Sequence, residues 1–141
     1  VPAFLVKTEP DEYAFEDLLR EKRTRWSGVS NPAALIALRS MARGDEVFVY
    51  HTGGVKAIVG LAKVAREAYE DPEHPGLNAR GEPARPVVDL EAVAALQAPV
   101  TLQQIKADRR FEQFALVRQA RLSVMPVPAP LARAIRSMAG L

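Results

Sequence analysis

Trp26 is the only tryptophan of the chain, and it closes a basic stretch, Arg20-Glu21-Lys22-Arg23-Thr24-Arg25. A run of cations ending on an aromatic plane suits a stacked nucleobase: Arg23 and Arg25 would contact phosphates while the indole holds the π-face of the base. A lone Trp is also a common core residue. The Ser27-Gly28 that follows favours a ring carried on a loop at the wall of a pocket. Asn31 is one of two asparagines. Its amide offers a donor and an acceptor, the minimum for reading a base edge. With Pro32 behind it, Asn31 also reads as a helix N-cap followed by proline at N1. The two roles are compatible, since a helix N-terminus favours an anion or a polar ligand atom.

Other chemistry-bearing groups are scattered along the chain. Lys7-Thr8-Glu9-Pro10 sets a cation, a hydroxyl and a carboxylate at the end of a strand, either lining the mouth of a fold or solvated. Tyr50-His51 precedes Thr52-Gly53-Gly54, and a lone histidine there is more often a hydrogen-bonding structural group than a base. In Val117-Arg118-Gln119-Ala120-Arg121, one arginine suits a phosphate and the other a buried carboxylate. Glu9, Asp11 and Glu12 could do acid–base work, but no partner stands at a diagnostic spacing, so no catalytic residue is assigned. With no cysteine and two histidines, thiolate catalysis, disulfides and a Cys- or His-built metal site are excluded, and no cofactor is expected.

The elements that must position these groups can be read from pattern. Phe4–Thr8 is a short, mostly buried strand, ended by Pro10. Phe15, Leu18 and Leu19 give a short amphipathic helix. A second helix starts at Asn31-Pro32 and is expected to stop at Arg43-Gly44, with Gly44 just past its end. Glu46–His51 and Ala57–Ala65 form a hairpin across Thr52-Gly53-Gly54. Tyr69 to Pro86, rich in Pro, Gly, Glu and Arg, reads as a long surface loop. Val87–Val93 is a fourth strand, Thr101 caps a short helix, a last strand ends at Pro126, and Leu131–Met138 closes the chain as a helix. About five strands and several short helices without strict alternation point to an α+β fold, a small mixed β-barrel with peripheral helices over residues 1–141.

Composition narrows the partners. At 141 residues, 48% hydrophobic and 26% charged, the chain can bury one core. No apolar run reaches membrane-spanning length, and the N-terminal residues lack a signal-peptide core, so a cytoplasmic location and no membrane partner are expected. The net charge of +2 is too small to demand a polyanion. The basic residues are 14 Arg against 5 Lys. Because Ala, Pro, Val and Leu are also abundant, that skew mostly reflects a GC-rich, bacterial type of genome. Where the arginines stand therefore matters more than their number.

Five stretches in order carry a resemblance: Lys7–Tyr13, Trp26–Asn31, Gly44–His51, Ile58–Val64 and Leu116–Val124. Together they resemble the EVE domain family, whose fold is PUA-like and similar to that of YTH domains. The family's Lys-Ser-Glu-Pro pattern has Thr8 in place of Ser. Its Trp-Asp-Gly-Val-Arg-Asn pattern retains Trp26, Gly28 and Asn31, with Ser30 where Arg is common. Its Arg-Gln-Gly-Arg-Leu-Ser-Val pattern has Ala120 in place of Gly. The resemblance implies a module that binds DNA or RNA without chemistry and reads a modified base, of methylated cytosine or adenine type. Lys7, Thr8, Trp26, Ser30, Asn31, His51, Arg118 and Gln119 would surround the ligand, and Arg23, Arg25 and Arg121 would hold phosphates. On this reading the segments around Thr8, Asn31, His51 and Arg118 converge on one concave site. An enzyme acting on modified nucleotides, or a small-molecule or protein-interaction module on the same fold, are the alternatives.

Overall fold

The computed structural model describes residues 1–141. Six strands form one mixed sheet: β1 (Ala3–Thr8), β2 (Arg23–Trp26), β3 (Glu46–His51), β4 (Ala57–Glu70), β5 (Pro86–Thr101) and β6 (Val124–Val127). Their order is β2-β5-β4-β3-β1-β6. The helices are α1 (Phe15–Glu21), α2 (Pro32–Ser40), α3 (Leu102–Lys106), α4 (Ala115–Arg118) and α5 (Ala129–Met138), with a 3-10 turn at Arg109–Phe111. The architecture is α+β, as expected. The sheet is not closed, however: β2 and β6 are its two edges and do not pair.

β1 lies parallel to β3 and antiparallel to β6. The continuous apolar runs Phe4–Val6 and Val47–Tyr50 are buried at successive positions, so these central strands are covered on both faces. β4 and β5 are long, and their pairing is interrupted by four register shifts. Such irregularities bend strands and increase their twist. The consequence is visible in packing. α2 touches β4, β5 and β6, strands from both halves of the sheet. The sheet therefore curls around α2, and the helix covers the gap that strand pairing leaves open.

Several local expectations change. Arg23–Trp26, expected as a basic stretch ending in a ring carried on a loop, is instead the edge strand β2, with Arg23 and Arg25 exposed and Trp26 buried. β4 runs on to Glu70 and β5 from Pro86 to Thr101, so the long loop shrinks to 71–85. That loop is built rather than loose. The Asn78 side chain accepts from the Arg80 and Glu82 amides, and Arg39 of α2 donates to the Pro83 and Ala84 carbonyls.

α2 begins as its sequence demands. Asn31 Oδ1 accepts from the Ala33 and Ala34 amides at 2.9 and 3.2 Å, with Pro32 in the first turn. It ends at Ser40, four residues before Gly44. Gly44 serves the next turn instead, at φ +92°, where a side chain would be strained. Replacing Asn31 by Ala should cost about 1 kcal/mol, the usual worth of an N-cap, and Asn31→Asp should restore most of it. Urea melts of both variants check this.

Candidate functional site

The curl of the sheet brings its ends together. The end of β1 (Lys7, Thr8), the end of β2 (Thr24, Arg25, Trp26) and Ser123, just before β6, line one cavity of about 360 Å³. β2 and β1 lie far apart in strand order, so only curvature can put them on the same hollow. The volume is in the range of small-ligand pockets.

Trp26 is a core residue with an edge on the cavity. It is 7% exposed and belongs to the continuous apolar core, yet it also lines the cavity. Tyr13 meets it edge-on, with centroids 6.1 Å apart and planes at 83°. Tyr13 lines the same cavity, and its hydroxyl donates to Glu21 at 2.5 Å. Burial and the Glu21 carboxylate push the Tyr13 phenol up to about 12. The fold thus favours the protonated phenol. Its contribution to stability is complete below the ordinary tyrosine value of 10 and is lost as pH rises from about 10 towards 12. Burial also raises Tyr50 and Tyr69. In an ultraviolet titration all three tyrosines should ionise late, and Tyr13→Phe should remove the step near 12. A step near 10 lost on that substitution would contradict this.

The other wall residues are held by backbone. Thr8 Oγ1 donates to the Tyr13 carbonyl at 2.6 Å, locking the Glu9–Tyr13 turn, in which the Glu12 and Tyr13 amides both donate to the Glu9 carbonyl. Lys7 Nζ donates to the Ala120 carbonyl at 3.0 Å, and burial draws its ammonium below the usual lysine range. Gly28 takes φ +79°, and Arg85 donates to the Val29 carbonyl, so the Ser27–Val29 rim is tied to the 71–85 loop.

The remaining candidates are spread more widely than expected. Asn31 is exposed, outside the cavity lining, with its oxygen committed to α2. Ser30 is exposed beside it. His51 pairs with Thr8 in the strand register, but its ring is buried and Nε2 accepts the Phe15 amide at 3.0 Å. The imidazole thus anchors the start of α1. Arg118 lies in a separate hollow and donates to the Glu112 carbonyl at 2.7 Å; Gln119 and Arg121 are exposed. Neither arginine pairs with a buried carboxylate, because Asp45 and Asp71, the buried carboxylates, are satisfied by the Ala42 amide and by the Glu73 amide with His74. Of the convergence expected around Thr8, Asn31, His51 and Arg118, only Thr8 lines the Trp26 cavity.

Arg23 and Arg25 project outward from β2 into a network. Arg23 forms an ion pair with Asp89 at 3.0 Å, and Arg25 donates to the Tyr69 hydroxyl, which donates to Asp89 at 2.6 Å. Burial pushes the Asp89 carboxyl up, but the bonds from Tyr69 and Arg23 outweigh it and leave the group below its ordinary range. The residues the sequence did not single out are Tyr13, Thr24, Ser27 and Ser123. Alternation in Arg-Thr-Arg-Trp was the available signal for Thr24; Tyr13 and Ser123 depend on long-range closure.

No group of three or more His, Cys, Asp or Glu side chains is placed to hold a metal ion, and no helix is long and apolar enough to cross a membrane. The sequence model of the EVE domain matches residues 3–138. Thymocyte nuclear protein 1 of Rattus norvegicus is 28% identical over 88% of this chain and 67% of its own length. A solved protein of Rhodopseudomonas palustris superposes with a TM-score of 0.88 at 37% identity, covering 99% of this chain and 94% of that one. Human thymocyte nuclear protein 1, solved in complex with DNA containing 5-methylcytosine, superposes with a TM-score of 0.87 at 25% identity over 100% of this chain and 99% of its own. With a family match over nearly its whole length and the same fold in these relatives, the chain belongs to the EVE domain family.

Proposed function

We propose that the chain is a nucleic-acid-binding module that accepts a single modified base, of the 5-methylcytosine type, in the Trp26 cavity and performs no chemistry on it. The carrying observation is the juxtaposition of a largely buried indole, an edge-on tyrosine and the Lys7-Thr8 strand end around one hollow. The complex of human thymocyte nuclear protein 1 with 5-methylcytosine DNA supports the ligand class. A base that leaves its duplex loses stacking worth a few kcal/mol, and an aromatic wall replaces much of it. Ser27, Ser123 and Thr24 offer hydroxyls to its polar edge. Ser30 and Asn31 extend the rim beyond Val29, where the Asn31 amide nitrogen is still open as a donor. Arg23 and Arg25 flank the strand on the β2 side. Arg118, Gln119 and Arg121 stand on the segment that Lys7 ties down through Ala120. His51 acts at one remove, by fixing the start of α1. The barrel-like character of the fold, on this reading, is the curl of an open sheet around α2.

The test is a fluorescence titration, since the only indole sits at the proposed contact. A short single strand carrying one 5-methylcytosine should change Trp26 emission saturably and bind more tightly than its unmethylated twin. The log–log salt slope should be about −0.7 per phosphate contact. Equal affinity for the two strands would overturn base reading, and salt-insensitive binding would favour a small-molecule site.

A further inference from the structure

We propose that the lysine-lined cavity beside the β3–β4 turn is a phosphate site that holds a nucleic-acid strand as it leaves the Trp26 pocket; the route, though not the phosphate chemistry, rests on the reading above. The cavity, about 280 Å³, is lined by Lys7, Lys56 and Lys106 together with Tyr50, Thr52 and Ala120 among others, and no carboxylate lines it. Neither Lys56 nor Lys106 takes part in any of the chain's six ion pairs, and Lys7 is bonded to a neutral carbonyl. Glu9, from the neighbouring hollow, reaches its rim, where it accepts from the Thr52 hydroxyl. Three lysines thus line a hollow that holds no carboxylate of its own, and a phosphate oxygen can accept from more than one ammonium group.

The hollow is built, not incidental. The Leu102 amide donates to the Lys56 carbonyl at 2.8 Å, tying the turn to α3, and the Thr52 amide donates to the Thr8 carbonyl at 3.0 Å, tying it to β1. Lys56 itself sits at φ +49°, a left-handed position that glycine adopts without strain. Lys7 lines this cavity and the Trp26 cavity alike, so a phosphate here lies next to a base there. The track continues: Lys106 also lines a third hollow with Arg109 and Arg118. In that hollow Asp108 is engaged by Arg110, leaving Glu112 as its one uncompensated carboxylate. On the β2 side Arg23 is paired with the Asp89 carboxylate, and Arg25 donates to the Tyr69 hydroxyl, which is itself bonded to Asp89. The less compensated route for a polyanion therefore runs over the lysines.

The experiment pairs Lys56→Gln with Lys106→Gln, which spares Lys7 and the Trp26 wall. Parent and double variant are titrated with 5-methyl-2′-deoxycytidine, with its 5′-monophosphate and with an octanucleotide carrying one 5-methylcytosine. The nucleoside should bind both proteins alike. The octanucleotide should bind the variant about tenfold more weakly at low salt, with a log–log slope shallower by about 1.4, two contacts at about 0.7 each. Loss with the octanucleotide alone assigns the site to a neighbouring phosphodiester; loss with the monophosphate as well assigns it to the target nucleotide's own phosphate. Unchanged affinity and slope for both phosphate-bearing ligands, or an equal loss for the nucleoside, would overturn the proposal. A second readout does not depend on the base pocket. Inorganic pyrophosphate and an abasic octanucleotide, which carries phosphates but no base, should shift the backbone amide resonances of Lys56, Leu102 and Lys106 in the parent and not in the variant. Amides that stay still would also overturn it, whereas moving amides together with a Trp26 emission that stays silent to the methylated octanucleotide would isolate a failure of the base reading.

Discussion

Trp26→Ala is expected to lower stability and abolish base binding together. The ring is 7% exposed, stands in the continuous core, lies opposite Val88 in the β2–β5 register and meets Tyr13 edge-on. Truncating a core aromatic costs about 3–5 kcal/mol. A domain of this size is stable by about 5–15 kcal/mol, so the variant should fold marginally and melt on the order of 10–20 °C lower. Losing the stacking wall should cost a further 1–3 kcal/mol of binding, roughly one to two orders of magnitude in affinity. Because one ring serves both purposes, the alanine variant alone cannot separate them. Trp26→Phe keeps an aromatic plane in the core, so it should melt much closer to the parent while binding the methylated strand more weakly. Calorimetry and a fluorescence-free binding assay on both variants test this. An alanine variant melting within about 1 kcal/mol of the parent would remove Trp26 from the core. A well-folded phenylalanine variant that binds no more weakly than the parent would deny the indole its part in recognition.

What the sequence makes legible follows a physical divide. Strands buried on both faces announce themselves, because Phe-Leu-Val and Val-Phe-Val-Tyr cannot be left in water. Local chemistry is equally legible: Asn31-Pro32 caps α2, and Thr101 with Gln104 forms a capping box on α3. The misses are elements whose identity depends on partners. β2 is four residues with two exposed arginines, and it is a strand because β5 lies beside it. β5 continues through Ala94 and Ala95, which have weak strand preference, because β4 pairs with them, and β4 takes up the ladder again at Val100 and Thr101. The candidate site divides in the same way. Lys7, Thr8 and Trp26 were legible from type and spacing. The commitment of His51 to the Phe15 amide, 36 residues away, was not, nor was the engagement of Arg23 by Asp89, 66 residues away. A side chain's type says what it can bond. Only the fold says whether that bond is already made.

Gly60→Ala should be about as damaging as losing Trp26, though it adds a single methyl group. Gly60 lies within β4, opposite Val49 and Ala95, with no positive φ to demand glycine. On backbone conformation alone alanine would be favoured there. Space decides otherwise: a Cβ at Gly60 would stand 2.4 Å from Cε1 of Phe15 and 2.5 Å from two further ring carbons. The ring cannot easily retreat. Phe15 is 2% exposed, it opens α1, and its amide is pinned by His51. Overpacking a core usually costs about 1–3 kcal/mol, and a clash this deep against a pinned ring should reach about 3 kcal/mol or more. The effect should spread to the site, because Phe15 lies two residues from Tyr13, whose ring walls the cavity and meets Trp26. Phe15→Leu alone should also destabilise, by opening a void. Combined with Gly60→Ala it should recover part of the loss, since the methyl group occupies space the ring has vacated. A double-mutant cycle by urea melting should therefore show coupling of about 1–3 kcal/mol in the favourable direction. Strict additivity, or a Gly60→Ala protein as stable as its parent, would mean that the glycine is not there to make room for the ring.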